Sequence, residues 1–210
     1  MSESDGVVLV TGASGALGAA VVARCTSSGR RVVPFDRSQS AEAQVEAAGA
    51  LTGAVLTAGA WRGGHRFHEA EAAGDYRAVM DANLESAQLV LRAVLPGMVA
   101  RGRGSIVLIG SRSGVRPYDA PGDAAYAASK AALGALAQAV AAEVVGHGVR
   151  VNLVLPSTID TVANRKAMPG ADRSRWVTTD SLCDVIEFLL SDQARDVSGA
   201  AIPVYGRAGV

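Results

Sequence analysis

Two side chains that exchange protons stand four positions apart, Tyr126 and Lys130, in the segment Tyr-Ala-Ala-Ser-Lys. On a helix this spacing puts both on one face, one turn apart. A free phenol has a pKa of about 10, but a nearby ammonium favours the phenolate and lowers that pKa. The pair predicts a general acid or base acting on a carbonyl or alcohol oxygen. Because the same spacing is common on ordinary helix surfaces, the other motifs must decide the interpretation.

A glycine-rich turn follows the first apolar run of the chain. Gly12 allows a tight turn, Gly15 lets the backbone approach a pyrophosphate, and Gly18 lets the next helix lie close to the sheet. The free N–H groups at that helix start favour phosphate. The turn predicts dinucleotide contacts from Gly12, Ser14, Gly15, Ala16, Leu17 and Gly18.

Charges near the second predicted strand bear on which dinucleotide is bound. Asp36 stands 18 residues after Gly18, where a carboxylate accepts hydrogen bonds from a ribose and repels a 2′-phosphate. Arg37 opposes this, since a guanidinium can bind that phosphate, whereas Ser14 is not basic. We expect NAD(H) to be favoured and NADP(H) to remain an alternative. The simpler interpretation of Asp36 is a turn residue or a cap before Ser38.

Strand-like and helix-like segments alternate along the chain. The predicted strands are residues 7–10, 31–35, 53–57, 105–109, 149–155 and 200–205, and the predicted helices are 16–28, 41–48, 75–98, 124–145 and 181–190. This alternation predicts an α/β fold over residues 1–210, a single doubly wound Rossmann-type domain with a mostly parallel sheet.

Composition and charge exclude several classes of function. The 20 basic and 20 acidic residues cancel, so nothing favours binding to nucleic acid or an anionic membrane. The polar start is unlike a signal peptide and no apolar run approaches the length of a membrane span, so we expect a cytoplasmic protein. Cys25 and Cys183 are far apart, and His65 and His68 have no completing ligands, so no metal site is expected.

The motifs together resemble the short-chain dehydrogenase/reductase family over nearly the full length. The residues that carry this resemblance are Thr11-Gly12 through Gly18, Thr57-Ala58-Gly59, Asn83, Leu95-Pro96-Gly97-Met98, Ser111, Tyr126 with Lys130, and Val151-Asn152 through Pro156. The resemblance implies an NAD(P)H-dependent oxidoreductase that acts on a small molecule, and it implies a homodimer or homotetramer formed through the two long helices.

The resemblance also implies roles for single residues. Tyr126 would be the proton donor or acceptor, Lys130 would bind the nicotinamide ribose and lower the phenol pKa, Ser111 would polarise the substrate oxygen, and Asn83 would hold a water next to Lys130. Further coenzyme contacts are implied at Ala58, Gly59, Pro156 and Thr158.

Two of these roles have alternatives. Ser113 has the usual family spacing, 13 positions before the tyrosine, whereas Ser111 fits the usual Gly-Ser-x-x-Gly pattern and is preferred. Asn83 could instead cap or kink its long helix.

The chain departs from the family pattern between Asp36 and Ala58, where only 21 residues stand. We therefore expect the sheet to be shortened between the second and fourth family strands, without the acidic residue that contacts adenine. Thr57 replaces the usual asparagine. This shortening leaves open a redox-inactive relative that uses the pocket for binding, regulation or non-redox acid–base chemistry.

Two segments resemble the dihydropteridine reductase branch, namely residues 58–64 and 160–172, the latter followed by Ser174 and Trp176. Trp61 could stack on a flat heterocycle there, or Trp61 and Trp176 could simply cover the core. That branch lacks the catalytic serine that this chain keeps as Ser111, so ordinary ketone or alcohol chemistry is the competing interpretation.

Overall fold

Apolar runs supply the strands at the centre of the fold. In the computed structural model, which describes residues 6–208, the strands are β1 Val7–Thr11, β2 Arg31–Phe35, β3 Gly53–Leu56, β4 Gly104–Ile109, β5 Val149–Pro156 and β6 Ala201–Val204. All are parallel, in the order β2-β1-β3-β4-β5-β6. β3 and β4 are buried along their whole length, as expected for strands covered on both faces.

Helices cover both faces of this sheet. They are α1 Ala16–Ser27, α2 Ala41–Ala48, α3 Asp75–Met80, α4 Ser86–Arg101, α5 Arg112–Val115, α6 Ala124–Val144, α7 Val162–Ala167 and α8 Thr179–Leu190. Strand side chains alternate between two apolar clusters. One contains Leu9 with α2, α4 and α6, and the other contains Val8 and Val10 with α1 and α8. The predicted doubly wound fold is confirmed.

The expected shortening is visible at one edge of the sheet. Only α2 lies between β2 and β3, and β2 is the outermost strand on that side. Pro34 is exposed in the middle of β2, where a proline removes a backbone donor that another strand could use. The strand that would pair there in the family is absent from residues 6–208.

The long helix predicted over residues 75–98 has three parts. A π-helical turn, Asp81–Glu85, separates α3 from α4, and α4 continues past Pro96 to Arg101. π-helical turns inside α-helices occur often at functional sites. Short helices α5 and α7 lie in segments that carried no helical periodicity.

Helix α6 is the longest helix among the described residues. With the turn after it, Ala124–His147 has the length and composition of a membrane-spanning helix, although it contains no uninterrupted apolar run of that length. It packs against β5 and α3 within the domain. It is therefore a core helix of this fold, and it carries Tyr126 and Lys130.

Candidate active site

The predicted site residues meet at the carboxyl edge of the sheet. Gly12 follows β1, Ala58 follows β3 and Ser111 follows β4, and parallel strands bring these ends together. From β1 the chain crosses to β2 on one side, and from β3 it crosses to β4 on the other side. The direction of the connections therefore reverses between β1 and β3, which places a crevice between these two strands. In open α/β sheets ligands bind at such a switch point.

Each of the three glycines of the turn is required or favoured for a different steric reason. Gly12 has φ +62°, and a Cβ there would lie 2.9 Å from the Ala58 backbone. A Cβ on Gly18 would lie 2.0 Å from the Gly12 carbonyl oxygen, so α1 could not start so close to the turn. A Cβ on Gly15 would meet only that oxygen, at 3.3 Å, and would otherwise point into open space.

The turn fits a dinucleotide pyrophosphate. Ser14, Gly15 and Ala16 are exposed, and Gly15 is the N-cap of α1, whose first N–H groups are free for an anion. Leu17 differs from the others, because its side chain is buried in the core against the sheet. Any coenzyme contact of Leu17 would therefore come from its backbone.

Thr57, which replaces the family asparagine, ties two strand ends together. Its hydroxyl donates a 2.6 Å hydrogen bond to the Thr11 carbonyl, and the Ala58 N–H donates to the Thr11 hydroxyl at 3.0 Å. The threonine hydroxyl therefore supports the glycine turn from below.

Asp36 and Arg37 both have protein partners. The Asp36 carboxylate accepts hydrogen bonds from the Ser38 N–H and hydroxyl and from the Gln39 amide, and these lower the pKa of Asp36. The Arg37 guanidinium is 2.6 Å from Asp81, an ion pair that lowers the pKa of Asp81. The turn interpretation of Asp36 is thus present in the structure, and a ribose would share that carboxylate with Ser38.

Pro156 and Thr158 lie at the end of β5, also on the carboxyl edge. The Thr158 carbonyl accepts a 3.0 Å hydrogen bond from the Val177 N–H. This bond holds the segment that follows α7 against the end of β5. Pro156 is buried and Thr158 is half-buried, and their contacts with a coenzyme stay a prediction.

Of the two candidate serines, Ser111 is the one that contacts Tyr126. The Ser111 side chain interacts with the Tyr126 phenol and lowers its pKa, and the Ser111 hydroxyl accepts from the Ser113 N–H at 3.1 Å as the N-cap of α5. Ser113 therefore takes part in the cap through its backbone, and Ser111 is the serine that lowers the pKa of Tyr126.

Lys130 is buried beneath the phenol. Its Nζ donates a 2.8 Å hydrogen bond to the Ile109 carbonyl and lies 6.0 Å from the centroid of the Tyr126 ring. Burial lowers the pKa of Lys130 from 10.5 to about 8. The ammonium is still mostly charged at neutral pH and approaches neutrality as the pH rises past 8.

Burial raises the pKa of Tyr126 above its ordinary value, the Ser111 hydrogen bond lowers it in part, and the nearby Asp123 charge raises it further. This is opposite to the lowering that we expected from Lys130. The reason is that the ring is removed from water on folding. This burial destabilises the phenolate by more free energy than its hydrogen-bonding partner stabilises it. The site therefore holds a neutral phenol at neutral pH.

Asn83 lies in the π-helical turn and is completely buried. Its amide accepts from the Ala60 N–H at 2.9 Å and donates to the Ala60 carbonyl at 3.0 Å and the Ser129 hydroxyl at 2.9 Å. Ser129 in turn donates to the Tyr126 carbonyl at 2.8 Å. The side chain thus fixes the loop after β3 to the start of α6, while the water-holding role of Asn83 stays a prediction.

Two residues at the site, Ser129 and Asp123, escaped sequence reasoning. Ser129 links Asn83 to α6, and its only sequence signal is its place between Tyr126 and Lys130. Asp123 accepts a 3.1 Å hydrogen bond from the Trp61 indole N–H, across 62 positions of sequence. No spacing rule connects such distant residues.

Within residues 6–208 no group of three or more His, Cys, Asp or Glu side chains could hold a metal ion. Both His65 and His68 are exposed in the loop before α3.

The chain is similar to known dehydrogenases and reductases. Residues 34–206 match the family profile described as enoyl-(acyl carrier protein) reductase. It is 37% identical over 172 residues to 2-(S)-hydroxypropyl-CoM dehydrogenase 3 of Xanthobacter autotrophicus, covering 75% of this chain and 66% of that relative. It is 29% identical over 240 aligned positions to 2,5-dichloro-2,5-cyclohexadiene-1,4-diol dehydrogenase LinX of Sphingobium indicum, covering 95% and 94%.

The fold is also similar to that of solved dehydrogenase and reductase structures. A short-chain type dehydrogenase/reductase from Mycobacterium ulcerans superposes with a TM-score of 0.85 at 26% identity, covering 97% of this chain and 90% of that structure.

Proposed function

The chain belongs to the short-chain dehydrogenase/reductase family, and we propose that it is an NAD(P)H-dependent oxidoreductase in which Tyr126 exchanges a proton with a carbonyl or alcohol oxygen. The observation that carries this proposal is the position of the buried Lys130 ammonium, which is held by the Ile109 carbonyl 6.0 Å from the centroid of the Tyr126 ring. Ser111 follows β4 and Lys130 bonds the last residue of β4, at the same edge of the sheet as the glycine turn after β1.

A bound nicotinamide coenzyme would supply or accept the hydride. Ser111 would donate a hydrogen bond to the substrate oxygen, where negative charge grows as a carbonyl is reduced. Tyr126, neutral because of its raised pKa, would give its proton to that oxygen. Lys130, held by Ile109, would place its positive charge under the developing phenolate and toward the ribose.

The coenzyme would be held by the exposed part of the glycine turn and by Asp36. We infer a preference for NAD(H), because the Asp36 carboxylate is at the end of β2 and the competing Arg37 is engaged by Asp81. An uncompensated carboxylate there would repel a 2′-phosphate.

Two substrate classes follow from different observations. Trp61, which is 58% exposed in the loop after β3, offers an aromatic face to a quinonoid heterocycle such as a dihydropterin. Retention of Ser111 favours a ketone or secondary alcohol instead, and two relatives are named for a hydroxypropyl and a diol substrate.

Coenzyme titration tests the proposal. NADH and NADPH are titrated into the purified protein, and NADH oxidation is then measured with quinonoid dihydropterin, quinones and ketones. Binding of either coenzyme with turnover that Tyr126→Phe reduces at least about 100-fold, at nearly unchanged coenzyme affinity, supports the proposal. Absence of coenzyme binding rejects it and favours a redox-inactive family member.

We also infer a homo-oligomer. The outer face of α6 is a row of exposed small side chains. On α4, Leu89 is an exposed large apolar side chain. Small residues let helices of two copies approach closely. Sedimentation equilibrium of the wild type and of Ala135→Glu checks this, because a charge within a tight helix interface would dissociate it.

A further inference from the structure

Two loops are fastened together beside Tyr126. The Trp61 indole N–H donates to Asp123 Oδ1 at 3.1 Å, and the Gly64 N–H donates to the Gly122 carbonyl at 3.1 Å. A Cβ on Gly63 would lie 2.6 Å from Asp123 Oδ1, so the backbones approach closely here. The loop after β3 is therefore attached to the segment that leads into α6.

The same loop is attached at its other end to Asn83. The Ala60 N–H and carbonyl both bond the Asn83 amide. The loop thus connects Asn83, which contacts Ser129, with Asp123, which stands at the N-cap of α6. Trp61 is exposed, so core packing does not fix its ring, and the bond to Asp123 is its polar anchor.

Asp123 also stands three residues before Tyr126, one helical turn away. Its carboxyl is partly buried, which raises the pKa of Asp123, and its negative charge raises the pKa of Tyr126. The Asp123 charge therefore raises the pKa of the phenol, whereas the positive charge of a lysine would lower it.

Other charged groups lie on elements packed against α6. They are Asp75, Tyr76 and Arg77 on α3, Asp81 and Glu85 on the π-helical turn, Arg112 on α5, Arg150 on β5 and His147 after α6. Asp81 is paired with Arg37, and Arg112 with Asp119. Besides Ser111, the side chain whose interaction changes the pKa of Tyr126 is Asp123.

We propose that Asp123 is a positioning residue with two separable effects: its carboxylate oxygen holds Trp61 against the start of α6, and its negative charge, one helical turn from Tyr126, disfavours the phenolate. The use of these effects in catalysis rests on the proposed function, whereas the two effects of Asp123 do not.

Three substitutions separate the effects. Asp123→Asn keeps an oxygen that can accept from Trp61 and removes the charge. Asp123→Ala removes both. Trp61→Phe keeps a ring and the charge of Asp123 but removes the hydrogen bond.

The first measurement is the ionisation of Tyr126 without coenzyme or substrate. Tyrosinate absorbance is followed against pH, and Tyr126→Phe in each background isolates the signal of Tyr126 from those of Tyr76, Tyr118 and Tyr205. We expect Asp123→Asn and Asp123→Ala to lower the pKa of Tyr126 by up to about one unit, and Trp61→Phe to leave it within a few tenths of the wild type. An unchanged titration in Asp123→Asn would overturn the charge effect.

The second measurement is the mobility of Trp61, by time-resolved fluorescence anisotropy in a Trp176→Phe background, where Trp61 is the only tryptophan. Nanosecond depolarisation should increase in Asp123→Ala and stay close to wild type in Asp123→Asn. Equal mobility in both would overturn the anchoring effect. Coenzyme binding is measured separately, so a failed oxidoreductase proposal leaves these two results interpretable.

Discussion

The Lys130 ammonium and the Ile109 carbonyl are joined by a 2.8 Å hydrogen bond. This bond connects the middle of the first half of α6 to the last residue of β4 and fixes the charge beneath the Tyr126 ring. The interaction is made inside the protein, where Lys130 is almost completely buried. A buried ammonium is costly for stability, and this suggests that the position is kept for chemistry.

Lys130→Met should make the protein more stable near neutral pH. The folded state releases the Lys130 proton at a pKa of about 8 rather than 10.5, so between those values the unfolded state binds more protons and wild-type stability rises with pH. The shift corresponds to about 3 kcal/mol, and loss of the Ile109 hydrogen bond offsets about 1 kcal/mol. We expect a net gain of about 2 kcal/mol in urea unfolding at about pH 7 that shrinks toward about pH 10.

The exposed Lys166→Met is the control for that experiment, because its side chain is in water in both states. It should leave the pH dependence of unfolding unchanged. A Lys130→Met protein that is less stable than wild type at neutral pH would contradict the argument.

Gly15→Ala and Gly18→Ala should separate binding from folding. A Cβ on Gly18 would overlap the Gly12 carbonyl, whereas a Cβ on Gly15 would need a shift of only a few tenths of an ångström. Gly18→Ala should therefore lose about 3 kcal/mol or more of stability. Gly15→Ala should stay within about 1 kcal/mol of wild type and still bind coenzyme at least about tenfold more weakly, because its methyl group occupies the phosphate approach.

Thermal unfolding and coenzyme titration of the same samples check this pair. Gly146→Ala is the matched control, because its Cβ would meet nothing within 4 Å and its φ is not positive. Unchanged coenzyme affinity in Gly15→Ala would show that the turn does not hold the pyrophosphate.

Asn83→Ala should destabilise the protein by about 3 kcal/mol, because it removes the three hydrogen bonds of a completely buried amide, two to Ala60 and one to the Ser129 hydroxyl, at about 1 kcal/mol each. Denaturant unfolding measures this, with the exposed Gln88→Ala as the control on the adjoining helix. A loss of activity at wild-type stability would instead point to a direct chemical role for Asn83.

Sequence reasoning was strongest where a local rule decides the structure. β2 and α2 begin and end at the predicted residues, because the strand is a short apolar run and Ser40 caps the helix by accepting from the Ala43 N–H. The glycine turn also followed from steric rules that act within a few residues. The long helix was found, but its π-helical turn was not, since periodicity carries no signal for one inserted residue.

The sequence failed where burial and long-range contacts decide. The spacing of Tyr126 and Lys130 predicted a lowered phenol pKa, yet the degree of burial that raises it depends on how α3, α5 and the sheet surround α6. The bond between Trp61 and Asp123 also depends on the complete fold, because it joins two loops from different halves of the sheet.

Asp36→Asn should weaken the preference for NADH over NADPH. The asparagine oxygen can still accept from the Ser38 N–H and hydroxyl, so the turn after β2 is preserved while the negative charge is removed. Without that charge a 2′-phosphate is no longer repelled, and the ratio of the two dissociation constants should move about tenfold toward NADPH.

Asp81→Asn should add to this effect, because it releases Arg37 from its ion pair. Arg37→Ala should cancel the part of the gain that Asp81→Asn adds. Titration of both coenzymes into all four proteins checks the set, and an unchanged ratio in Asp36→Asn would mean that the carboxylate serves only the turn with Ser38 and Gln39.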